Sequence, residues 1–254
     1  MLELKGVSRW FGGLPALESV SFTVPAGQVT TLTGPDGDGK FNPNIVISGV
    51  DRAGQGDILM EGRAIQALPA HEIADLGIAR TFQNLKLFAR LCVLDNVLTG
   101  LTVAAERSFA LSMLRLPALR HQERRLRLRA LRALDDFGLA SKAQWPAAAL
   151  AYGEKKRVEM ARAFVSDPRL VMLDEPVAGL NTQETARIAG HIRRQRMTGN
   201  TILLVEHDME LVMNVADQVV VLDSGRCIAC GKPQAIRSNP LVLEAYLGRM
   251  AATA

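Results

Sequence analysis

Short apolar stretches alternate with longer mixed segments along most of the chain. Val29–Thr33, Arg169–Leu173 and Thr201–Val205 are short, largely apolar runs, and polar or turn-forming residues follow each of them. Runs of this length are typical of strands that are buried on both faces, as in a parallel sheet. Between them, Lys155–Val165 and Gln183–Met197 have the length and mixed composition of helices. The pattern therefore predicts an α/β fold with a mostly parallel sheet.

Further strands are predicted outside this core. Leu2–Val7 and Val20–Val24 alternate between apolar and polar residues, and Pro, Ala and Gly at 25–27 mark a turn after the second. The remaining predicted strands are Asp57–Met60, Ile78–Phe82, Val219–Leu222 and Cys227–Ala229. The last two are joined by Asp, Ser and Gly at 223–225, so they predict an antiparallel hairpin.

A different kind of segment lies between about Asn84 and Ala149. Leu, Ala and Arg dominate it, and Leu128, Leu131 and Leu134 have helical spacing with arginines on the other faces. We predict a helical insertion here. The arginines are interpreted as a solvated helix face rather than a nucleic-acid surface, since no aromatic residues are interleaved with them.

Composition and charge exclude several classes of protein. The 254 residues are 48% hydrophobic and 22% charged, with a net charge of +4, which is an ordinary globular composition with a mildly basic balance. No apolar run is long enough for a membrane span, and the start of the chain lacks a signal-peptide pattern, so we expect a soluble cytoplasmic protein. Cys227 and Cys230 have metal-like spacing but no second pair, so we interpret them as ordinary strand or turn residues.

The strongest chemical signal is a glycine-rich loop directly after the predicted strand Val29–Thr33. Its sequence, Gly34 to Lys40, fits the pattern G-x-x-x-x-G-K, in which backbone N–H groups and a helix N-terminus bind phosphate. The pattern requires Ser or Thr next, whose hydroxyl binds Mg²⁺, but this chain has Phe41. Pro43 is tolerated only if the helix begins at or after Lys40, because its ring clashes with a carbonyl four residues earlier.

Acidic residues follow two of the predicted buried strands. Asp174 and Glu175 come directly after Arg169–Leu173, and Glu206, His207 and Asp208 come directly after Thr201–Val205. Open α/β sheets bind their ligands at the carboxyl ends of their strands, so these residues are candidates for the same site as the loop.

The order of these motifs resembles that of an ATP-binding-cassette ATPase. The elements that carry the resemblance are Phe11, the loop 34–40, Gln83, Leu150–Glu154, Leu170–Glu175 and His207. More narrowly, the segments 79–84, 150–154, 178–181, 205–209 and 239–248 resemble the ATPase subunits of branched-chain amino acid importers. The resemblance covers nearly the whole chain.

The resemblance implies a P-loop NTPase core with a mostly parallel sheet, a small antiparallel sheet and an inserted helical subdomain. It further implies a single ABC ATPase domain over residues 1–254. Within it, the nucleotide-binding core would comprise 1–83 and 151–236, the helical subdomain 84–150 and the C-terminal helical tail 237–254.

The resemblance also implies roles for individual residues, with ATP and Mg²⁺ as cofactors. Glu175 would orient or deprotonate the attacking water, His207 would contact the γ-phosphate, and Gln83 would reach Mg²⁺ or the water. Asp174 would hold Mg²⁺, with Gln83 as a second candidate ligand. The nucleotide-contacting residues would be Phe11, which stacks on adenine, then Gly34, Pro35, Asp36, Gly37, Asp38, Gly39, Lys40 and Phe41, and, across a dimer, Ala151, Tyr152, Gly153 and Glu154.

The implied partners follow from the same resemblance. The chain would pair with a second ABC ATPase subunit in a homodimer or heterodimer, and would bind transmembrane permease subunits at the cytoplasmic face of the inner membrane. A periplasmic or extracellular substrate-binding protein would act indirectly, and nucleic acid would not be a partner. Branched-chain or related amino acids would be the transported solutes.

The irregular loop leaves alternatives open. Phe41 removes the expected Mg²⁺ ligand, and Asp36 and Asp38 place carboxylates where a triphosphate would bind. The chain is therefore an active ATPase with an unusual loop, a catalytically impaired nucleotide-binding subunit of the same transporter, or a chain whose sequence is corrupted between about 36 and 46. A DNA-repair or translation ATPase is disfavoured, because the chain has one cassette and no coiled-coil insertion.

Overall fold

A six-stranded, mostly parallel sheet lies at the centre of the fold. The computed structural model describes residues 1–11, 14–35, 43–83, 85–101 and 117–252. The strands of this sheet are β3 (Val29–Thr33), β6 (Ile78–Arg80), β7 (Leu170–Asp174), β8 (Thr201–Val205), β9 (Gln218–Asp223) and β10 (Arg226–Gly231). Their order is β10-β9-β3-β8-β7-β6, and β10 pairs antiparallel with β9 while the others are parallel. The predicted α/β fold class is confirmed.

Both faces of the parallel sheet are buried, which explains its continuous apolar strands. On β7, Val171 and Leu173 pack into one core, whereas Leu170 and Met172 pack into another. Side chains alternate between the two faces of a strand, so each face needs its own set of apolar residues.

A second, antiparallel sheet packs against one face of the first. Its order is β2-β1-β4-β5, formed by β1 (Leu2–Phe11), β2 (Leu14–Val24), β4 (Gln55–Met60) and β5 (Arg63–Ala64). The first two strands are longer than predicted. Irregularities in their register between Leu4 and Trp10 interrupt the alternation, so the apolar pattern stops short of the strand ends.

Helices cover the other face and the ends of the sheets, and two short helices pack into the same core as the antiparallel sheet. They are α1 (Asn44–Ile47), α2 (Ala70–Asp75), α3 (Val93–Leu98), α4 (Pro117–Asp136), α5 (Tyr152–Phe164), α6 (Thr182–Met197), α7 (Met209–Val215), α8 (Pro233–Arg237) and α9 (Pro240–Ala252). Single 3₁₀ turns occur at Thr99–Leu101, Ala140–Lys142 and Ala147–Ala149. The helix α1 begins after Pro43, as the constraint on that proline requires.

The predicted helical insertion corresponds to α3, α4 and the turns before α5. Leu134 and Phe137 of this segment pack into the core that also contains Val171 and Leu173 of β7. Leu128 lies in the helix, as its spacing from Leu131 and Leu134 predicts, but its side chain is exposed. At 100° per residue it lies far around the helix from the buried Ala130 and Leu134, so it cannot belong to their face.

The C-terminal part of the chain packs beside β9 and β10. Val219 and Val221 form a small core with Ile236 and Val242 from α8 and α9. Both Cys227 and Cys230 lie in β10 as free thiols, in agreement with their interpretation as strand residues. Within the described part of the chain, no helix is long and apolar enough to cross a membrane.

We expect Gly34→Ala to destabilise the protein by several kcal/mol. A Cβ at this position would lie 2.1 Å from the backbone oxygen of Leu222, and this oxygen belongs to the neighbouring strand β9, which cannot move freely. The free energy of unfolding, measured by chemical denaturation, tests this expectation.

Gly190→Ala is the matched control. Gly190 lies in α6, and a methyl group added there would meet no heavy atom within 4 Å beyond its own helix backbone. Alanine should therefore leave stability unchanged or raise it by up to about 1 kcal/mol. Equal effects of the two substitutions would contradict the steric argument.

Candidate active site

Three predicted site residues lie together at the carboxyl end of the parallel sheet. The His207 ring reaches both of the others: its Nδ1 is 3.4 Å from the carbonyl oxygen of Gly34, and its Nε2 is 3.7 Å from Glu175 Oε1. Each residue follows a different parallel strand, β3, β7 or β8. The sheet therefore brings together residues that are far apart in the sequence.

Gln83 completes this group from the segment after β6. Its Nε2 lies 3.2 Å from both carboxylate oxygens of Glu175. The backbone of Glu175 has φ of +44°, a left-handed conformation that is uncommon for residues other than glycine. Strained conformations of this kind concentrate at functional sites, where the surrounding structure holds them.

Asp174 precedes Glu175 as the last residue of β7, and its side chain is only 2% exposed. Its backbone N–H donates to Thr81 Oγ1 at 3.0 Å, and its carboxylate Oδ2 accepts from Arg80 Nη2 at 3.1 Å. The two consecutive acids are thus held differently: Asp174 is buried beside an arginine, whereas Glu175 faces the edge of the site.

The side chains of Asp174 and Gln83 have the chemistry of the protein ligands in a magnesium site. Among the described residues, no group of three or more His, Cys, Asp or Glu side chains could enclose a metal ion alone. In phosphoryl-transfer sites Mg²⁺ is typically held by one or two carboxylates together with substrate phosphates and water. The carboxylate of Asp174 and the amide oxygen of Gln83 are donors of the correct type for that arrangement.

Helix α5 contributes charged residues that the sequence analysis missed. Lys156 Nζ donates to the backbone oxygens of Gln83 at 3.4 Å and Glu175 at 3.1 Å. One turn further along, Glu159 Oε1 accepts from the backbone N–H of Phe82 at 3.3 Å. These contacts fasten the Gln83 segment to the helix.

The same side of α5 continues with Arg162, which donates from Nη1 to the backbone oxygen of Lys86 at 2.5 Å. Burial raises the pKa of Glu159 and lowers the pKa of Arg162, and the mutual attraction of the two charges opposes both shifts. In the sequence, the signal was the spacing of Lys156, Glu159 and Arg162 three residues apart on one helix, but this helix also carries three other charged residues, which obscure the pattern.

The carboxylate of Glu206 holds the backbone next to His207 by hydrogen bonds. It accepts from the backbone N–H of Val177 at 3.0 Å and from that of His207 at 3.1 Å. Burial raises the pKa of Glu206 above its usual value, although these N–H groups act in the opposite direction. A buried carboxyl of this kind ties the loop after β8 to the loop after β7.

The segment Leu150–Glu154 forms the start of α5. Glu154 Oε2 accepts from the backbone N–H of Ala151 at 3.2 Å, and its Oε1 accepts from Lys142 Nζ at 2.6 Å. Burial favours a higher pKa for Glu154, but the hydrogen bonds from Lys142 and Ala151 and the nearby charges lower it below the usual value. The side chain therefore caps its own helix as a carboxylate.

Gly153 allows a close approach within the chain. A Cβ there would lie 2.5 Å from Glu184 Oε1 at the start of α6, while the neighbouring Tyr152 is exposed. In the described residues, no hydrogen bond or ion pair joins the 150–154 segment to Gly34 or His207. Within the described part of the chain, the segment is linked to the group around Glu175 through the nearby Lys156.

Part of the predicted site lies outside the described residues. This applies to Asp36, Gly37, Asp38, Gly39, Lys40 and Phe41, and to the side chain of Phe11. Gly34 and Pro35 are described, and they lead from the end of β3 toward this loop.

The chain matches models of known protein families. A family model described as "ABC transporter" matches residues 17–178, which is more than half of the chain. The chain belongs to the ABC transporter family. A second model, described as "Branched-chain amino acid ATP-binding cassette transporter", matches residues 226–252, the region that includes β10, α8 and α9.

Relatives of this ABC transporter chain match nearly its full length. It is 40% identical over 98% of both chains to a protein of Pseudomonas aeruginosa named high-affinity branched-chain amino acid transport ATP-binding protein BraF. It is 37% identical, again over 98% of both, to the Escherichia coli protein of the same description named LivG. The chain is thus an ATPase of the ABC type.

Solved structures show the same fold. The ADP conformation of MJ1267, described as an ATP-binding cassette of an ABC transporter, superimposes with a TM-score of 0.83 at 30% identity and covers 98% of both chains. A nucleotide-free ATP-binding cassette of an ABC transporter matches with a TM-score of 0.82 at 29% identity, covering 97% of this chain and 98% of that one.

We expect Lys156→Met to loosen the Gln83 segment of this ABC ATPase. The substitution preserves volume but removes the donor to two backbone oxygens, which costs about 2 kcal/mol of unfolding free energy. Hydrogen exchange should accelerate in the peptide that spans Phe82 to Phe88, as measured by mass spectrometry.

Lys155→Met provides the control, because Lys155 is the adjacent, more exposed lysine on the same helix. Its exchange pattern should match that of the parent protein. Unchanged exchange in Lys156→Met would show that the buried lysine does not anchor the segment.

Proposed function

We propose that this chain binds and hydrolyses ATP with Mg²⁺ and thereby drives the uptake of branched-chain amino acids through membrane permeases. The observation that carries the proposal is that Gln83, Glu175 and His207 lie together beside Gly34. Gly34 is the residue at which β3 leads into the glycine-rich loop. The proposed solute comes from the names of the full-length relatives.

In this proposal Glu175 acts on the attacking water. Its carboxylate lies between the amide of Gln83 and the ring of His207, so both neighbours can orient it and a bound water. A carboxylate next to the transferred phosphate can align that water and accept its proton. His207 would then contact the γ-phosphate.

The remaining nucleotide contacts are assigned by position in the chain. Lys40 and the backbone amides of the loop that begins at Gly34 would bind the phosphates, and Phe11 would stack on adenine. Asp174 would supply the carboxylate ligand for Mg²⁺, which shields phosphate charge when it is bound.

A second ATPase subunit would complete the site. Its segment Ala151–Glu154 would face the nucleotide bound by this chain. The exposed Tyr152 and the well-held start of α5 support this assignment, since both are available at the surface. Glu154 itself is engaged with Lys142, so its contribution would be to hold the helix start rather than to contact phosphate.

Permease subunits would bind next to the Gln83 segment. An open groove of about 1340 Å³ lies there, between α2 and the end of α5, and Phe82, Lys86 and Phe88 line it. A protein docked in this groove would touch the residues that flank Gln83. This contact would attach the chain to the cytoplasmic face of the membrane, and a substrate-binding protein would act on the permeases from the other side.

Phe41→Thr tests whether the unusual loop limits catalysis. We expect weak Mg²⁺-dependent ATP hydrolysis in the parent protein, since it lacks the hydroxyl ligand, and a rise of about tenfold or more in Phe41→Thr. Glu175→Gln should bind ATP but abolish turnover in either background. Phosphate release and fluorescent-nucleotide binding are the measurements.

Equal, robust turnover in the parent and in Phe41→Thr would show that position 41 does not limit the site. If neither protein binds nucleotide, the alternative of a structural subunit of the transporter is favoured instead.

Phe88→Asp tests the permease contact. Phe88 is 55% exposed in the groove, so a charge there should disrupt docking without unfolding the chain. We expect co-purification with the cognate permeases to fall at least fivefold, while the ATPase activity of the isolated subunit stays the same.

Leu128→Asp is the matched control, because Leu128 is 49% exposed on α4 outside that groove. Its co-purification should equal that of the parent. Equal losses in both variants would contradict the groove as the docking site.

A further inference from the structure

The side chain of Arg80 contacts the buried Asp174, and it also lines the groove proposed for permease docking. None of the roles above accounts for its contact with Asp174. Its Nη2 donates to Asp174 Oδ2 at 3.1 Å. Its Nη1 donates to Ser48 Oγ at 2.8 Å and to the backbone oxygen of Asn44 at 3.3 Å. The guanidinium also lies over the ring of Phe82, 5.4 Å from the ring centroid.

These contacts join elements on two sides of the site. Asn44 and Ser48 belong to α1 and its end, directly after the loop segment, whereas Asp174 is the last residue of β7. Arginine can make both contacts because its planar fork presents donors in fixed directions. A lysine would concentrate its charge at one point and could not hold both sides in the same way.

The contact with Asp174 places a positive charge on the proposed metal ligand. A buried carboxylate is costly unless an opposite charge accompanies it. Arg80 supplies that charge from within the protein. Mg²⁺ binds oxygen at about 2.0–2.1 Å and carries two positive charges, so it repels a guanidinium that remains on the same oxygen.

We propose that Arg80 occupies Asp174 Oδ2 in place of a divalent cation and gives up this oxygen when nucleotide and metal bind together. This inference rests on the proposed role of Asp174. The hydrogen bonds to Ser48 and Asn44 hold the guanidinium nearby after it leaves the carboxylate. Arg80 is therefore a positioning residue that makes metal binding conditional on the phosphates of the nucleotide.

The contact between Arg80 and Asp174 gives the site two affinities for a divalent cation, one without nucleotide and one with it. Without nucleotide, a cation must displace Arg80 with few other ligands to compensate, so binding is weak. With nucleotide, phosphate oxygens contribute further ligands, so the displacement is favourable. A purely structural arginine would stabilise the fold and leave the ratio of the two affinities unchanged when it is replaced.

Mn²⁺ binding, followed by electron paramagnetic resonance, tests this distinction on the full chain. The proteins compared are the parent, Arg80→Gln, Arg80→Lys and the control Arg169→Gln. Arg169 is an exposed arginine paired with Glu61 at 2.6 Å, so it controls for the loss of an ion-paired arginine. Each is measured alone and with a saturating non-hydrolysable ATP analogue.

We expect Arg80→Gln to bind Mn²⁺ at least fivefold more tightly than the parent without nucleotide, and within about twofold of it with the analogue. Adding Asp174→Asn to Arg80→Gln should abolish the gain. Arg169→Gln should match the parent in both conditions. Arg80→Lys should lie between the parent and Arg80→Gln, and it carries the test if Arg80→Gln does not fold.

Several outcomes would overturn the inference. Parent-like Mn²⁺ affinity in a folded Arg80→Gln with a lowered unfolding temperature would make Arg80 a structural residue only. A gain that persists with Asp174→Asn would place the cation elsewhere. If no variant binds the ATP analogue, the proposed function fails, while the comparison without nucleotide still decides whether Arg80 excludes cations from Asp174.

Discussion

The site depends on the pairing of β8 with the strands on both sides of it. The ladder continues past the strand ends: the backbone N–H of Glu206 donates to Leu32 O at 3.1 Å, and that of Glu175 donates to Val205 O at 3.0 Å. These hydrogen bonds fix the positions of the loops after β3, β7 and β8 relative to one another. A shift of one residue in the register would turn the side chains of β7 to the opposite faces, so the group around Glu175 could not form.

Helix α5 connects this group to the segment at its own N-terminus. Lys156 holds the backbone of both Gln83 and Glu175, and Arg162 holds the same connecting segment further along. A helix moves as a rigid body over such a short length. The hydrogen bonds of Lys156 therefore link the start of α5 to Gln83, and under the proposed function the groove beside that segment is where a permease would dock.

Opposite charges or backbone N–H groups accompany the buried acids of the site. Asp174 lies beside Arg80, and Glu159 lies beside Arg162, while Glu206 is held by backbone N–H groups. Each arrangement offsets the cost of placing an ionisable group away from water. The cations in these pairs come from β6 and α5 rather than from the glycine-rich loop, so these elements also contribute to the electrostatics of the site.

Local pattern was sufficient to predict the parallel strands, the helices α5 and α6, the helical character of the 84–149 segment and the residues at the strand ends, because these features depend on near neighbours in the chain. It did not predict the short helices α1, α2, α7 and α8. The longer extents of β1 and β2 were missed, since irregular register breaks the alternation. Lys156 and Arg80 were missed for another reason: their partners are distant in sequence, and a charge that meets a buried carboxylate or carbonyl looks the same as a solvated one until the chain is folded. The motifs could therefore be identified from the sequence alone. The hydrogen bonds and ion pairs that hold them together could not, because they form between residues that only tertiary packing brings into contact.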